Sequence, residues 1–304
     1  RIVSGVTALL TAALSVPYDT YADMPTNISA ETRRSETVVS DNGECIETKE
    51  FIFEDNAKHY YAMPVSGTKR AEKWIDRIPD IPEYALNYYH LLEESTNNDG
   101  VDDFLIDMSK AEISNGKHVL FSSPVTFTVK SQADISSKLD EIADEAKSWL
   151  SVVYSAFERD NPQVFWLKSF KQITVKTSTK VTADGYSVDL QMGYIIDSIF
   201  KDDYNTLDKL TEAIDNRDSL IESITSEIPK NISTQKKILA INEYLTTHNS
   251  YNSVVASGSS DVDEYVFTCL TALNGTTGKL GPVCEGYSKA FKVLCDSLNI
   301  PCII

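Results

Sequence analysis

Two periods of apolar residues divide the chain into a mixed first part and a helical second part. Val125, Phe127 and Val129 alternate with Thr126 and Thr128 within 117–130, the two-residue period of a strand. The period lengthens over 134–158, where Leu139, Ile142, Ala146, Trp149, Leu150, Val153 and Phe157 share one stripe. That stripe predicts a long amphipathic helix, terminated by Asn161-Pro162. Three runs after it, Val164–Phe170, Ile173–Thr179 and Tyr186–Tyr194, read as strands, with Asp184-Gly185 as the hairpin turn between the last two. Upstream, residues 45–65 read as extended chain with Ile46, Phe51 and Phe53 as apolar positions. A shorter helix over 82–94 opens with Pro82 and turns Tyr84, Ala85, Tyr88, Leu91 and Leu92 inward.

From about 203 the helical period takes over. Tyr204, Leu207, Leu210 and Ile214 form one stripe, and Leu220, Ile221, Ile224 and Ile228 continue it to Pro229. Ser233 or Thr234 caps another helix reaching about Thr247, with Ile238, Ile241, Tyr244 and Leu245 inward. Val262–Leu273 reads as a further helix ended by Asn274-Gly275. The last helix begins at Cys284 with Tyr287, Ala290, Phe291, Leu294 and Leu298 on its buried stripe. Asn299 and Pro301 close it, and Cys302-Ile303-Ile304 reads as the start of a buried strand. The pattern describes an α+β protein whose strands give way to helices near 200–230.

Charge narrows the partners. The 304 residues carry 28 Lys+Arg against 45 Asp+Glu, a net charge of −17. A surface this acidic is wrong for nucleic-acid phosphates and for an anionic membrane face. No apolar run approaches the ~20 residues of a membrane span. The opening Arg1-Ile2-Val3-Ser4-Gly5 continues apolar to Val16, the length of a signal-peptide core, and Thr20-Tyr21-Ala22 supplies small residues for cleavage before Asp23. Residues 1–22 are therefore expected to be a leader whose beginning, with the initiator Met, lies upstream. That makes the protein secreted or cell-surface associated, with no membrane contact beyond the leader. Residues 23–43, rich in Ser, Thr, Asn and Glu, are expected to be weakly ordered. Residues 44–230 form an N-terminal α+β region. The Asn97-Asn98-Asp99-Gly100-Val101-Asp102-Asp103 run superficially matches a calcium loop, but aligning Gly100 at its sixth position puts Ile106 where a bidentate Glu is required. The sequence calls for no metal and no cofactor.

The chemistry concentrates at Cys284. A glycine-rich loop delivers this Cys to the first turn of a helix, where unpaired N–H groups and the positive end of the dipole favour a thiolate. The same N–H groups are placed to hold the oxyanion formed when a carbonyl is attacked. Glu285 reads as a favourable charge at the helix start. Gly281-Pro282-Val283-Cys284-Glu285-Gly286-Tyr287-Ser288-Lys289-Ala290-Phe291 resembles the nucleophile motif of the transglutaminase-like superfamily, in its microbial, papain-fold branch. Glu243-Tyr244-Leu245 running into Asn249-Ser250-Tyr251-Asn252 is similar to the segment that precedes that motif. Asn161-Pro162-Gln163-Val164-Phe165-Trp166-Leu167 resembles a stretch of secreted members from anaerobic Gram-positive bacteria.

The resemblance covers about 231–304 and implies the helical lobe of a transglutaminase-like, cysteine-peptidase-like domain. It implies that Cys284 attacks a protein or peptide amide to form a thioester, which an amine resolves as transamidation or water as deamidation or proteolysis. It also implies a His base oriented by an Asp, carried on a sheet that follows the Cys helix. His59, His90, His118 and His248 all precede Cys284, and none receives that role. The domain is therefore expected to be incomplete at Ile304, with the 304-residue chain inactive by itself. A non-catalytic cell-wall or adhesion module on the same scaffold is the alternative. Cys45, Cys269, Cys295 and Cys302 raise the question of disulfides. Cys284 and Cys295 lie about 16 Å apart along one helix, too far for a bridge. Cys295 with Cys302, or Cys269 with either, is the more plausible pairing. Substrate, acyl acceptor and oligomeric state have no signature in the sequence.

Overall fold

The computed structural model describes residues 31–39, 45–52, 73–96, 110–114, 116–167, 172–195, 201–258 and 263–304. Strands β1 (Glu31–Val39) and β2 (Cys45–Ile52) open the described chain, followed by helix α1 (Glu83–Thr96). Then come β3 (Glu112–Ser114), β4 (Lys117–Phe121), β5 (Val125–Val129), α2 (Gln132–Asp160) and the hairpin β6 (Gln172–Thr182) and β7 (Gly185–Ile195). The remainder is helical: α3 (Leu207–Ser226), α4 (Thr234–His248), α5 (Ser253–Ala256), α6 (Cys269–Leu273) and α7 (Cys284–Ser297). The molecule is thus mixed α and β, with its strands before its last helices, as the apolar periods predict.

The strands form one antiparallel sheet in the order β1-β2-β6-β7-β4-β3, with β5 also on β7. β4 and β5 share one side of β7: Leu120 lies opposite Tyr194, and Phe127 opposite Val188. The alternating run 117–130 is therefore broken in two, because Ser122-Ser123-Pro124 leaves the ladder. Ser122 bridges the gap, its N–H donating to the Met192 carbonyl (2.7 Å) and its Oγ accepting the Met192 N–H (3.1 Å). The hairpin falls at Gly185, whose φ of 138° and 2.2 Å approach of a notional Cβ to the Val129 carbonyl oxygen exclude a side chain.

α1 and α2 pack together beside β7 and β5. Tyr88 and Tyr194 meet edge to face at 6.3 Å, and Asp160 at the end of α2 ties the preceding chain down. Its carboxylate accepts the N–H groups of Trp74 (2.6 Å) and Ile75 (3.2 Å) and the Tyr89 hydroxyl (2.9 Å). Burial raises the Asp160 pKa against the pull of those hydrogen bonds. The apolar core is continuous from Ile75 to Ile300, running under the sheet and into the helical part.

Four expectations are corrected. Glu31–Val39 lies within the segment expected to be weakly ordered, yet it forms β1 on the outer side of β2. Among the described strands β1 stands at the edge of the sheet, a position where charged sequence is common. Val164–Leu167 is no strand: the turn closed by Val164 N–H to the Asn161 carbonyl (2.9 Å) folds it back as buried irregular chain. Phe165 packs at 5.2 Å against both Trp166 and Tyr204, and an unbroken apolar run carries no period to tell strand from buried loop. The helix expected over Val262–Leu273 is split into a 3-10 turn, Glu264–Phe267, and α6, because Thr268 is extended between them. Residues 301–304 are irregular, not a strand. The leader, 53–65 and nearly all of the calcium-like run lie outside the described residues.

Candidate active site

α7 lies against α3, α4, α6 and the 264–267 turn, and Cys284 is its first residue. Val283 precedes it as an extended N-cap whose side chain caps nothing, and the first helical bond runs from the Tyr287 N–H to the Val283 carbonyl (3.1 Å). The helix start is therefore open around the sulfur. Cys284 is an exposed, free thiol. It is the one sequence-predicted catalytic residue, and it stands where the helix pattern puts it.

Close backbone approach explains the motif glycines. The strand-like stretch 249–252 and the loop 276–283 are zipped together by Ser250 N–H to the Thr276 carbonyl (3.2 Å) and Asn252 N–H to the Pro282 carbonyl (3.1 Å). Asn252 adds its side-chain amide to the Lys279 carbonyl at 2.8 Å. A Cβ on Gly281 would stand 2.1 Å from the Ser250 carbonyl oxygen, and one on Gly286 would stand 2.6 Å from that of Val266. Gly286 is buried on the inner side of α7, so its missing side chain lets α7 sit directly on the 264–267 turn.

This zipper brings Tyr251 to Cys284. The Tyr251 hydroxyl lies beside Cys284, and its pKa is raised by burial and by the adjacent sulfur. Tyr287, one turn along α7, stacks on Tyr251 at 6.2 Å and 17°. Tyr251 is a site residue that sequence reasoning missed; its only signal was its place in the Asn-Ser-Tyr-Asn run.

Glu285 pairs with Lys289 at 2.7 Å, and Lys289 reaches Glu158 of α2 at 3.8 Å. Lys289 is only 8% exposed. Burial opposes its charge, but Glu158 and Glu285 outweigh burial and raise its pKa. Lys201 nearby is lowered by burial. Lys201, Lys289, Glu158 and Thr268 border a cavity of about 10 Å³, room for about one water molecule and not for a substrate.

The described histidines have partners elsewhere. His248 stacks on Tyr244 at 4.2 Å and its Nδ1 lies 2.9 Å from the Tyr244 carbonyl oxygen. His90 lies 3.7 Å from Glu93, and His118 pairs with Ile113 across the sheet. His59 lies outside the described residues. Cys269, Cys284, Cys295 and Cys302 are all free thiols. Burial pushes the Cys269 thiol up to about 11. Among the described residues there is no cluster of three or more His, Cys, Asp or Glu placed to hold a metal, and no helix long and apolar enough to cross a membrane. Comparison of the chain with protein family models, curated proteins and solved structures finds no match.

Proposed function

We propose that the protein is a transglutaminase-like cysteine enzyme, secreted or held at the cell surface, that acts on protein or peptide amides through a thioester on Cys284. One observation carries this reading. An exposed free thiol sits at the uncapped first turn of a helix, with the Tyr251 hydroxyl beside it. An inert core cysteine has no use for such a position, whereas a nucleophile needs access, rigid support and nearby donors together.

In the proposed reaction the Cys284 sulfur attacks the amide carbon. The developing oxyanion is met by the Tyr251 hydroxyl and the N–H groups at the start of α7. The amine or ammonia departs, leaving a thioester on Cys284. A primary amine resolves it by transamidation, or water by deamidation or peptide hydrolysis. The resemblance assigns the proton transfers to a His and Asp following the nucleophile. No His occurs in the 20 residues after Cys284, so the base is not assigned to a residue of this chain. Lys289 pairs with the Glu285 carboxylate and so offsets its negative charge next to the attacking sulfur.

The test is product analysis with the protein at its natural length, a glutamine-containing peptide and a labelled primary amine. Amine incorporation that disappears in Cys284→Ala supports transamidation. Deamidated or cleaved peptide under the same conditions assigns water as acceptor. Neither product, with Cys284 intact and free, favours the non-catalytic scaffold.

A further inference from the structure

The far end of α7 carries a second arrangement of thiols, independent of what Cys284 does. The helix ends by folding the chain back on itself. Asn299 takes a left-handed conformation (φ 55°), its N–H donates to the Asp296 carbonyl (3.0 Å), and the Ile300 N–H donates to the Cys295 carbonyl (2.8 Å). Ile300 is thereby buried, Pro301 prevents further helix, and Cys302 packs back against the core. This reversal brings the Cys302 thiol beside Cys295, in the core that Cys295 belongs to. Cys295 is buried, whereas Cys302 is partly open to solvent. Two thiols side by side, one reachable and one sheltered behind it, have the layout of an attacking and a resolving cysteine.

We propose that Cys295 and Cys302 form a reversible dithiol–disulfide site, oxidised by low-molecular-weight disulfides. The Cys302 thiolate attacks one sulfur of the external disulfide, forming a mixed disulfide and releasing one thiolate. Cys295 gives up its proton to solvent and attacks the Cys302 sulfur, forming the internal bond and releasing the second thiolate. Two protein thiols lose two electrons, and the external disulfide is reduced to two thiols. The neighbouring Cys295 lowers the Cys302 pKa against the effect of burial, and Lys292 on the preceding turn adds to the lowering, so the reachable sulfur is held toward its thiolate form. The bond closes across the turn that follows α7, stapling the chain after the helix to the helix that presents Cys284.

The experiment exposes the full chain to oxidised glutathione, quenches with acid, blocks remaining thiols and maps every cysteine by peptide mass spectrometry. The expected result is a Cys295–Cys302 linked peptide, removed by dithiothreitol, while Cys284 carries glutathione and Cys269 stays reduced. Cys295→Ser should stop at a stable mixed disulfide on Cys302, and Cys302→Ser should leave Cys295 reduced. Glutathione persisting on Cys302 in the native protein would overturn the proposal. So would both thiols remaining reduced, or Cys302 linking to Cys269 or Cys284.

Discussion

At the residue scale, reactivity is governed by what each sulfur touches. Cys284 and Cys269 stand on neighbouring helices in opposite surroundings, one exposed with a hydroxyl beside it, the other fully buried. Tyr251→Phe removes the hydroxyl but keeps the ring that stacks on Tyr287. If that hydroxyl meets the oxyanion, turnover should fall about 100-fold, while urea unfolding shifts by no more than about 1 kcal/mol. An unchanged rate would remove Tyr251 from the mechanism. Cys269 gives a pH test. Its folded pKa of about 11 lies above its ordinary 9.0, so between these values the unfolded chain binds fewer protons than the folded one. Its contribution to stability is complete below pH 9 and is lost as pH rises toward 11. Wild type should therefore lose more stability than Cys269→Ala across that interval, measured by urea titration at each pH. Cys284 was legible in the sequence because a helix start can be read from its own stripe. Tyr251 was not, because it reaches the thiol through a loop-to-loop zipper that has no period.

Helix ends and close contacts decide the elements. Ser131 and Asp134 form a reciprocal capping box at the start of α2, the Ser131 Oγ accepting the Asp134 N–H at 3.3 Å and the Asp134 carboxylate accepting the Ser131 N–H at 2.9 Å. Ser131→Ala should cost about 1 kcal/mol in urea unfolding without altering Cys284 labelling. Gly286→Ala should do more. Its Cβ would press on the Val266 carbonyl and the Thr271 methyl, so a loss of about 2 kcal/mol is expected, together with slower labelling of Cys284 as α7 is pushed outward. Stability loss with unchanged labelling would show that the helix start does not depend on this contact. The long helix, the hairpin at Asp184-Gly185 and the capped helix from Ser233 were legible because each carries a period and a terminator. The buried run Val164–Leu167 was read as a strand because burial on all sides erases the alternation that separates strand from loop.

At the scale of the whole molecule, one buried lysine joins the two parts. Lys289 on α7 sits between Glu285 of its own helix and Glu158 of α2, so the helix bearing Cys284 is tied electrostatically to the sheet-bearing part. Lys289→Met would take from Glu158 and Glu285 the ion-pair partner they share, leaving Lys201 as a nearby cation. Since about a third of each remains solvated, the loss is placed at the low end for a broken buried pair, about 3 kcal/mol. Thermal or urea unfolding checks it, and Glu158→Gln in the same chain should recover part of the loss. The mixed α and β class and the order of strands before helices followed from periodicity; this cross-connection did not, since a Lys four residues after a Glu reads from sequence as a solvated surface pair. The account as a whole rests on Cys284 being a primed nucleophile, and site-resolved alkylation of the native protein at neutral pH tests that most directly. With limiting iodoacetamide and mass-spectrometric readout, Cys284 is predicted to be modified faster in the folded protein than in the same chain unfolded in urea, with Cys269 untouched. Labelling of folded Cys284 at or below the unfolded rate would contradict the account.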